Sequence, residues 1–284
     1  MAAKIIKKLS SDVLTSKSQF PAQTKSLSIN DISKEAGITK SAASPRIQDI
    51  RMHLKRFCEH WCALDRENFT AAYNAALTDA KHMEYDSKDI SAFCSEIGKS
   101  IPIGPKSNTA GLGIFLSALV NASKENDFEM PFDNVKIDYL GYKNKKNIVV
   151  HGDVGEYACF KGTAKGRMAI YGSAISLDYL DCKELIIYDG VSDHCSHVNM
   201  GKVTIHGNCG FVFASGSKSS ITIDGNLDYA SHIHGILRVN GNIYHMDEPE
   251  IISIVAKAIY QYDRVLVKNG EVIGQPINIE RPSA

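Results

Sequence analysis

Hydrophobic and polar positions along this chain follow two different periods. From Ser44 to about Lys124 the period is helical. Ser44 followed by Pro45 reads as an N-cap with proline at the first helical position. Ile47, Ile50, Leu54, Phe57, Trp61 and Leu64 then recur at three- and four-residue steps and form one apolar stripe. A second helix is expected after Asp65, with Phe69, Tyr73, Ala76, Leu77 and Ala80 facing inward. A third is expected over 88–99, capped by Ser87. The prolines and glycine of IPIGPKSN separate it from a fourth, AGLGIFLSALVNAS.

From about Val135 the period changes to two and one phrase recurs. IVVHG, MAIYG, LIIYDG, VTIHG, ITIDG and LRVNG end at Gly152, Gly172, Gly190, Gly207, Gly225 and Gly241, at steps of 20, 18, 17, 18 and 16 residues. These steps are too long for hairpins and too short for strand–helix–strand crossovers. They suit the coils of a β-solenoid stacked at about 4.8 Å.

Counting back from each glycine gives two apolar columns: Val150, Ile170, Tyr188, Ile205, Ile223, Val239, and Ile148, Met168, Ile186, Val203, Ile221, Leu237. Both are expected to face the interior, with Tyr188 the single polar-tipped member. Directly before the glycine stand His151, Tyr171, Asp189, His206, Asp224 and Asn240, expected to face outward. After the last coil, Asp247 and Pro249 suggest a helix start, with Ile251, Ile252, Val255, Ala258 and Ile259 on its apolar face. RVLVKNGEVIG then reads as a hairpin turning at Asn269-Gly270. Helix and hairpin together would cover the open edge of the last coil.

The stretch GDVGEYACFKGTAKGRMAIYGSA resembles the glycine-patterned (GXGXG) β-solenoid found at the C-terminus of the glutamate synthase large subunit and as one of the subunits of formylmethanofuran dehydrogenase. The matching positions are Gly152, Asp153, Gly155, Gly162, Gly166, Met168, Ile170, Gly172 and Ala174. The match is good over about 147–174. Later coils depart from it: GSAISLDYLDCKE lacks the second and third family glycines, and the coil after Gly190 is rich in His, Cys and Asp instead. The resemblance implies a solenoid that is mainly architectural, since catalytic centres in those enzymes lie in other domains or subunits.

Composition adds exclusions. Lys plus Arg equals Asp plus Glu at 32 each, so no global field favours nucleic acid or anionic lipid. No apolar run approaches membrane-spanning length. The first 26 residues carry five lysines and one acid without a signal-peptide core, and are expected to form a tail or short helix. Seven cysteines without framework spacing point to reduced thiols and a cytoplasmic protein.

Two clusters could carry chemistry. His194, Cys195 and His197 are candidate metal ligands by type, because imidazole and thiolate suit zinc or iron. The column seven residues past each glycine reads Cys159, Tyr179, His197, Ala214, His232, so Ala214 would hold His197 and His232 about two rungs, roughly 10 Å, apart. The outward column His151, Tyr171, Asp189, His206 and Asp224 is the candidate catalytic set. In it Asp189 and Asp224 would flank His206 and could orient its imidazole as a general base. The same ladder would also stabilise an ordinary sheet. In the helical half Cys58 and Cys62 lie one turn apart, within the stripe of Phe57 and Trp61. NDISKEAGITKSAAS has the outline of a helix-turn-helix, but Pro45 would interrupt its second helix. GLGIFLSALV lacks the ending of a phosphate loop.

The expected architecture is therefore α+β: an N-terminal segment over 1–43, a helical domain over 44–130, a right-handed single-stranded β-solenoid over 131–246, and a helix and hairpin cap over 247–284. The expected function is a non-catalytic cytoplasmic scaffold or assembly module that associates with itself or a protein partner. No cofactor is implied, and no membrane association. The alternatives are an accessory subunit or small enzyme using the His/Asp ladder, and a DNA-binding regulator acting through residues 29–51.

Overall fold

The computed structural model describes residues 44–61, 68–100, 109–132, 135–163, 165–247, 253–261, 264–268 and 271–272. Among the described residues four helices come first: α1 (Pro45–His60), α2 (Phe69–Ala80), α3 (Ser87–Ser100) and α4 (Ala110–Ala122). Fourteen strands follow among these residues: β1 (Asp127–Pro131), β2 (Asn147–His151), β3 (Arg167–Tyr171), β4 (Leu177–Asp178), β5 (Asp181–Ile187), β6 (Val191–Ser196) and β7 (Met200–Ile205). The rest are β8 (Cys209–Ser215), β9 (Lys218–Ile223), β10 (Leu227–Ile233), β11 (Ile236–Asp247), β12 (Ser253–Gln261), β13 (Arg264–Lys268) and β14 (Glu271–Val272).

The four helices form where the pattern predicts them, although α1 ends at His60 with Trp61 as its C-cap, and Leu64 of the expected stripe lies outside the described residues. Ser44 Oγ accepts the Ile47 amide at 3.3 Å and Pro45 opens α1, which buries Ile47, Ile50 and Phe57. The cap of α3 differs from expectation. Asp86 Oδ1, not Ser87, accepts the amides of Lys88 (2.9 Å) and Asp89 (3.0 Å), and Asp89 Oδ2 accepts the Asp86 amide in return (3.2 Å). A carboxylate satisfies two orphan donors where one hydroxyl satisfies one. Helix α4 is buried from Gly111 to Val120, which explains its apolar composition all round. Gly113 permits its close approach, because a Cβ there would stand 1.9 Å from the Asp138 carbonyl oxygen. Ser117 completes the join: its Oγ donates to the Gly113 carbonyl and accepts the amides of Gly141 and Tyr142.

The remainder is a parallel β-solenoid of about six turns. One face, face one, stacks β1, β2, β3, β5, β7, β9 and the first half of β11; the other, face two, stacks β4, β6, β8, β10 and the second half of β11. The stack begins one strand earlier than the sequence suggests, since β1 pairs with β2 from Asp127↔Asn147 to Pro131↔His151. Helix α3 packs on β1. Interior side chains of both faces and the helices form one contiguous core, from Ile47 to Met246.

Two expectations are corrected. The segment after the last coil is a strand, not a helix. β12 pairs parallel with β11, from Ile236↔Ser253 to Ile243↔Ile259. The free edge of β11 offers unpaired backbone groups to a run rich in β-branched residues, and pairing wins over helix formation. The antiparallel pairing of β12 with β13 and β13 with β14 matches the expected hairpin, while Asn269 and Gly270 lie outside the described residues.

The second correction is one of register. β3 pairs with β5 through Met168↔Leu185 and Ile170↔Ile187. Leu185 and Ile187 are therefore the fully buried pair, while Ile186 is half-buried and Tyr188 is exposed. LIIYDG carries one more residue between strand and glycine than its neighbours. Tyr188 thus leaves the inward column, and Asp189 occupies the slot that Gly172 and Gly207 fill in adjacent coils: its amide donates to the Gly172 carbonyl and its carbonyl accepts from Gly207.

Candidate functional site

The shifted register rewrites the outward ladder on face one. It runs His151, Tyr171, Tyr188, His206, Asp224, Asn240. His151 stacks on Tyr171 (5.3 Å, 10°), and Tyr171 on Tyr188 (4.2 Å, 6°). Tyr188 meets His206 at 5.2 Å, His206 Nδ1 pairs with Asp224 Oδ2 at 2.6 Å, and Asn240 Nδ2 donates to Asp224 Oδ1 at 2.7 Å. The contact between Tyr171 and Tyr188, by hydrogen bond and then by charge, raises the Tyr188 phenol above its ordinary value. Of the five candidate catalytic residues, the structure brings His206 and Asp224 together and stacks His151 on Tyr171. It places Tyr188, not Asp189, beside His206, and Asp189 turns the corner instead. The ladder stands on an open face, with Tyr171 half exposed. Beside it Glu184 pairs with Arg167 (3.9 Å) and Lys202 (3.5 Å) in a charged column of the same face.

The metal candidates are separated by the strand. Cys195 faces the interior with no exposed surface, and burial raises its thiol well above the ordinary range. His194 is held by Asp193 (Nδ1 to Oδ2, 2.9 Å) and His197 by Asp178 (Nδ1 to Oδ1, 2.9 Å). The register of β6 on β8 shifts between Val191 and His194, which sets His194 opposite Phe211 and Cys195 opposite Val212. Phe213 stands between His197 and His232, at 5.8 Å from one ring and 5.1 Å from the other. Among the described residues no three His, Cys, Asp or Glu side chains converge on a common point.

Three features escaped the sequence reading. The first is Asp178, a 5% exposed carboxylate that takes Ser196 Oγ at 2.5 Å as well as His197. The second is a corner ladder one residue past the glycines. Asp153 Oδ1 accepts the Ser173 amide (2.8 Å), Asn208 Oδ1 the Asn226 amide (2.8 Å), and Asn226 Oδ1 the Asn242 amide (2.9 Å). Its signal was present: HGN, DGN and NGN place asparagine after the glycine in three successive coils. The third is a column of rings on face two. His194, Phe211, Tyr229 and His245 share one register, with Phe211–Tyr229 at 5.7 Å and Tyr229–His245 at 5.2 Å. These rings are scattered among short, irregular strands, so no single phrase repeats them. In the column expected seven residues past the glycines, Tyr179 stacks on His197 at 4.4 Å.

In the helical half, Cys58 is half-buried and its thiol is pushed up to about 11, by burial and then by Glu59; Cys62 lies outside the described residues. Residues 29–43 of the helix-turn-helix outline also lie outside them. Arg46 lies 3.5 Å from Asp89, and Arg51 pairs with Glu96.

The fold and its surface ladders define a β-solenoid with a helical cap. Comparison with family models, curated proteins and solved structures finds no match to the chain. Among the described residues no helix is long and apolar enough to cross a membrane.

Proposed function

We propose that this chain is a non-catalytic assembly module of the cytoplasm that presents face one of its solenoid to a second copy or to a protein partner. The carrying observation is the unbroken ladder of exposed rings from His151 to His206. Aromatic rings held rigid by their neighbours lose little entropy on binding and are enriched at the centres of protein interfaces. The likeness of 147–174 to the GXGXG solenoid supports an architectural role. Free thiols at all six described cysteines support a reducing compartment. Size-exclusion with light scattering tests the reading: the wild type should associate, and the Tyr171→Ser, Tyr188→Ser double variant should dissociate. A strict monomer that turns over small molecules would overturn it.

One observation favours an enzymatic second reading, and it moves the chemistry from His206 to His197. A buried carboxylate on Nδ1 is the arrangement that orients an imidazole to act through Nε2. Loss of turnover in His197→Ala, with His206→Ala active, would establish that reading over the first.

A further inference from the structure

We propose that the corner groove between the two faces is a binding site for a linear, neutral saccharide. This reading is independent of assembly through face one, because the groove opens at the start of the face-two strands.

The groove has a volume of about 540 Å³, within the range of small-molecule sites. Ser173, Ser192, Asn208, Asn226, Asp228 and Tyr244 line it, so it crosses five successive coils along the solenoid axis. A ligand lying there meets similar groups once per coil, at a repeat of about 4.8 Å. That geometry fits a polymer of small repeating units.

Three observations select the chemistry. First, the strands bordering the groove, LD, VSDHCS, CGFVFAS, LDYASHI and the second half of β11, contain no lysine or arginine. The cations carried by the coil strands lie on face one, at Arg167, Lys183, Lys202, Lys218 and Arg238, and Lys136, one coil before the groove, is paired with Asp153 at 3.4 Å. A phosphate or uronate polymer would find no countercharge in the groove. Second, hydroxyl, amide and carboxylate groups line the groove, and the register column of Phe211 and Tyr229 runs beside it. Tyr244 and Phe211 are 48% and 46% exposed. Sugar hydroxyls can exchange hydrogen bonds with the first set, while sugar C–H faces lie on electron-rich rings. Third, the groove crosses the strands, whose backbone groups are already paired between coils. A peptide could not add here as a further strand. The Asn208 and Asn226 side chains are also fixed before any ligand arrives, because each Oδ1 holds the next coil's amide. Such preorganisation reduces the entropy lost on binding.

Titration calorimetry of the full chain should use soluble hexamers of neutral hexoses and pentoses, with oligogalacturonate and spermine as charged comparisons. At least one neutral hexamer should bind, and neither charged probe. Tyr244→Ala and Phe211→Ala, with unchanged circular dichroism, should each weaken binding about tenfold or more, as truncation of an aromatic anchor does. Asp228→Asn should retain sugar affinity within about threefold, because an amide still hydrogen-bonds a hydroxyl. Tyr171→Ser should leave saccharide binding unchanged even where it abolishes assembly. Failure of every neutral hexamer to bind overturns the proposal. Binding of spermine that Asp228→Asn destroys also overturns it, and identifies a cation site in its place.

Discussion

Substituting two adjacent isoleucines tests the register of the third coil. Ile187 is fully buried and pairs in register with Ile170 and Ile205, whereas Ile186, one residue earlier, is half-buried on the outer face. Ile187→Ala deletes three buried carbons at about 0.8 kcal/mol each, roughly 2.4 kcal/mol. The cavity left in a stack with rigid neighbours above and below brings the cost to about 3–4 kcal/mol. Ile186→Ala removes the same atoms from a surface that water already reaches, and should cost under about 1 kcal/mol. Urea unfolding followed by far-UV circular dichroism separates them. With a slope of about 3 kcal/mol per molar, Ile187→Ala should lower the midpoint by about 1 M and Ile186→Ala by less than about 0.3 M. The alignment obtained by counting back from Gly190 predicts the reverse order. Equal costs, or a greater cost for Ile186→Ala, would refute the register and with it the place of Tyr188 in the outward ladder.

Three further outcomes are expected. Gly152→Ala should destabilise by at least about 1–3 kcal/mol, measured in the same unfolding assay, since its φ is +125° and a Cβ would lie 2.0 Å from the Phe132 carbonyl oxygen. Asp86→Ala should cost about 1 kcal/mol by removing the cap of α3, and Asp86→Asn much less at neutral pH. Hydrogen bonds from the Asp89 and Lys88 amides hold the Asp86 carboxyl below its ordinary value. Its contribution is therefore present above the unfolded-state pKa and lost as pH falls through the folded one, so the wild type should lose more stability on acidification than Asp86→Asn. Cys94, Cys159 and Cys195 should resist a thiol reagent at neutral pH until urea unfolds the chain, because burial raises all three thiols. Labelling of any of them in the folded protein, located by mass spectrometry, would contradict their placement.

The coil architecture was legible because each turn of a solenoid must satisfy the same local conditions. Two inward apolar residues and a glycine corner recur at Ile148, Val150, Gly152 and again at Val203, Ile205, Gly207, and a period of two with a step near eighteen leaves few alternatives. The helical half was legible for a similar reason, since Ser44 and Pro45 mark a start that depends only on neighbouring residues. Local pattern alone therefore specifies the repeat: which residues form strands, where most corners fall, and that an outward column of rings and polar groups exists. Tertiary structure decided how one repeat meets the next. Pairing with β3 and β7, not distance from a glycine, moved Ile187 inward and Tyr188 out, because two buried apolar residues outweigh one misplaced corner. The open edge of β11 turned a helical-looking segment into β12. The repeat already set Asp224 beside His206, one coil apart in the same column, but Tyr188 on its other side, the Asp178 partner of His197 and the groove between the faces arise only when the coils are stacked in their true register.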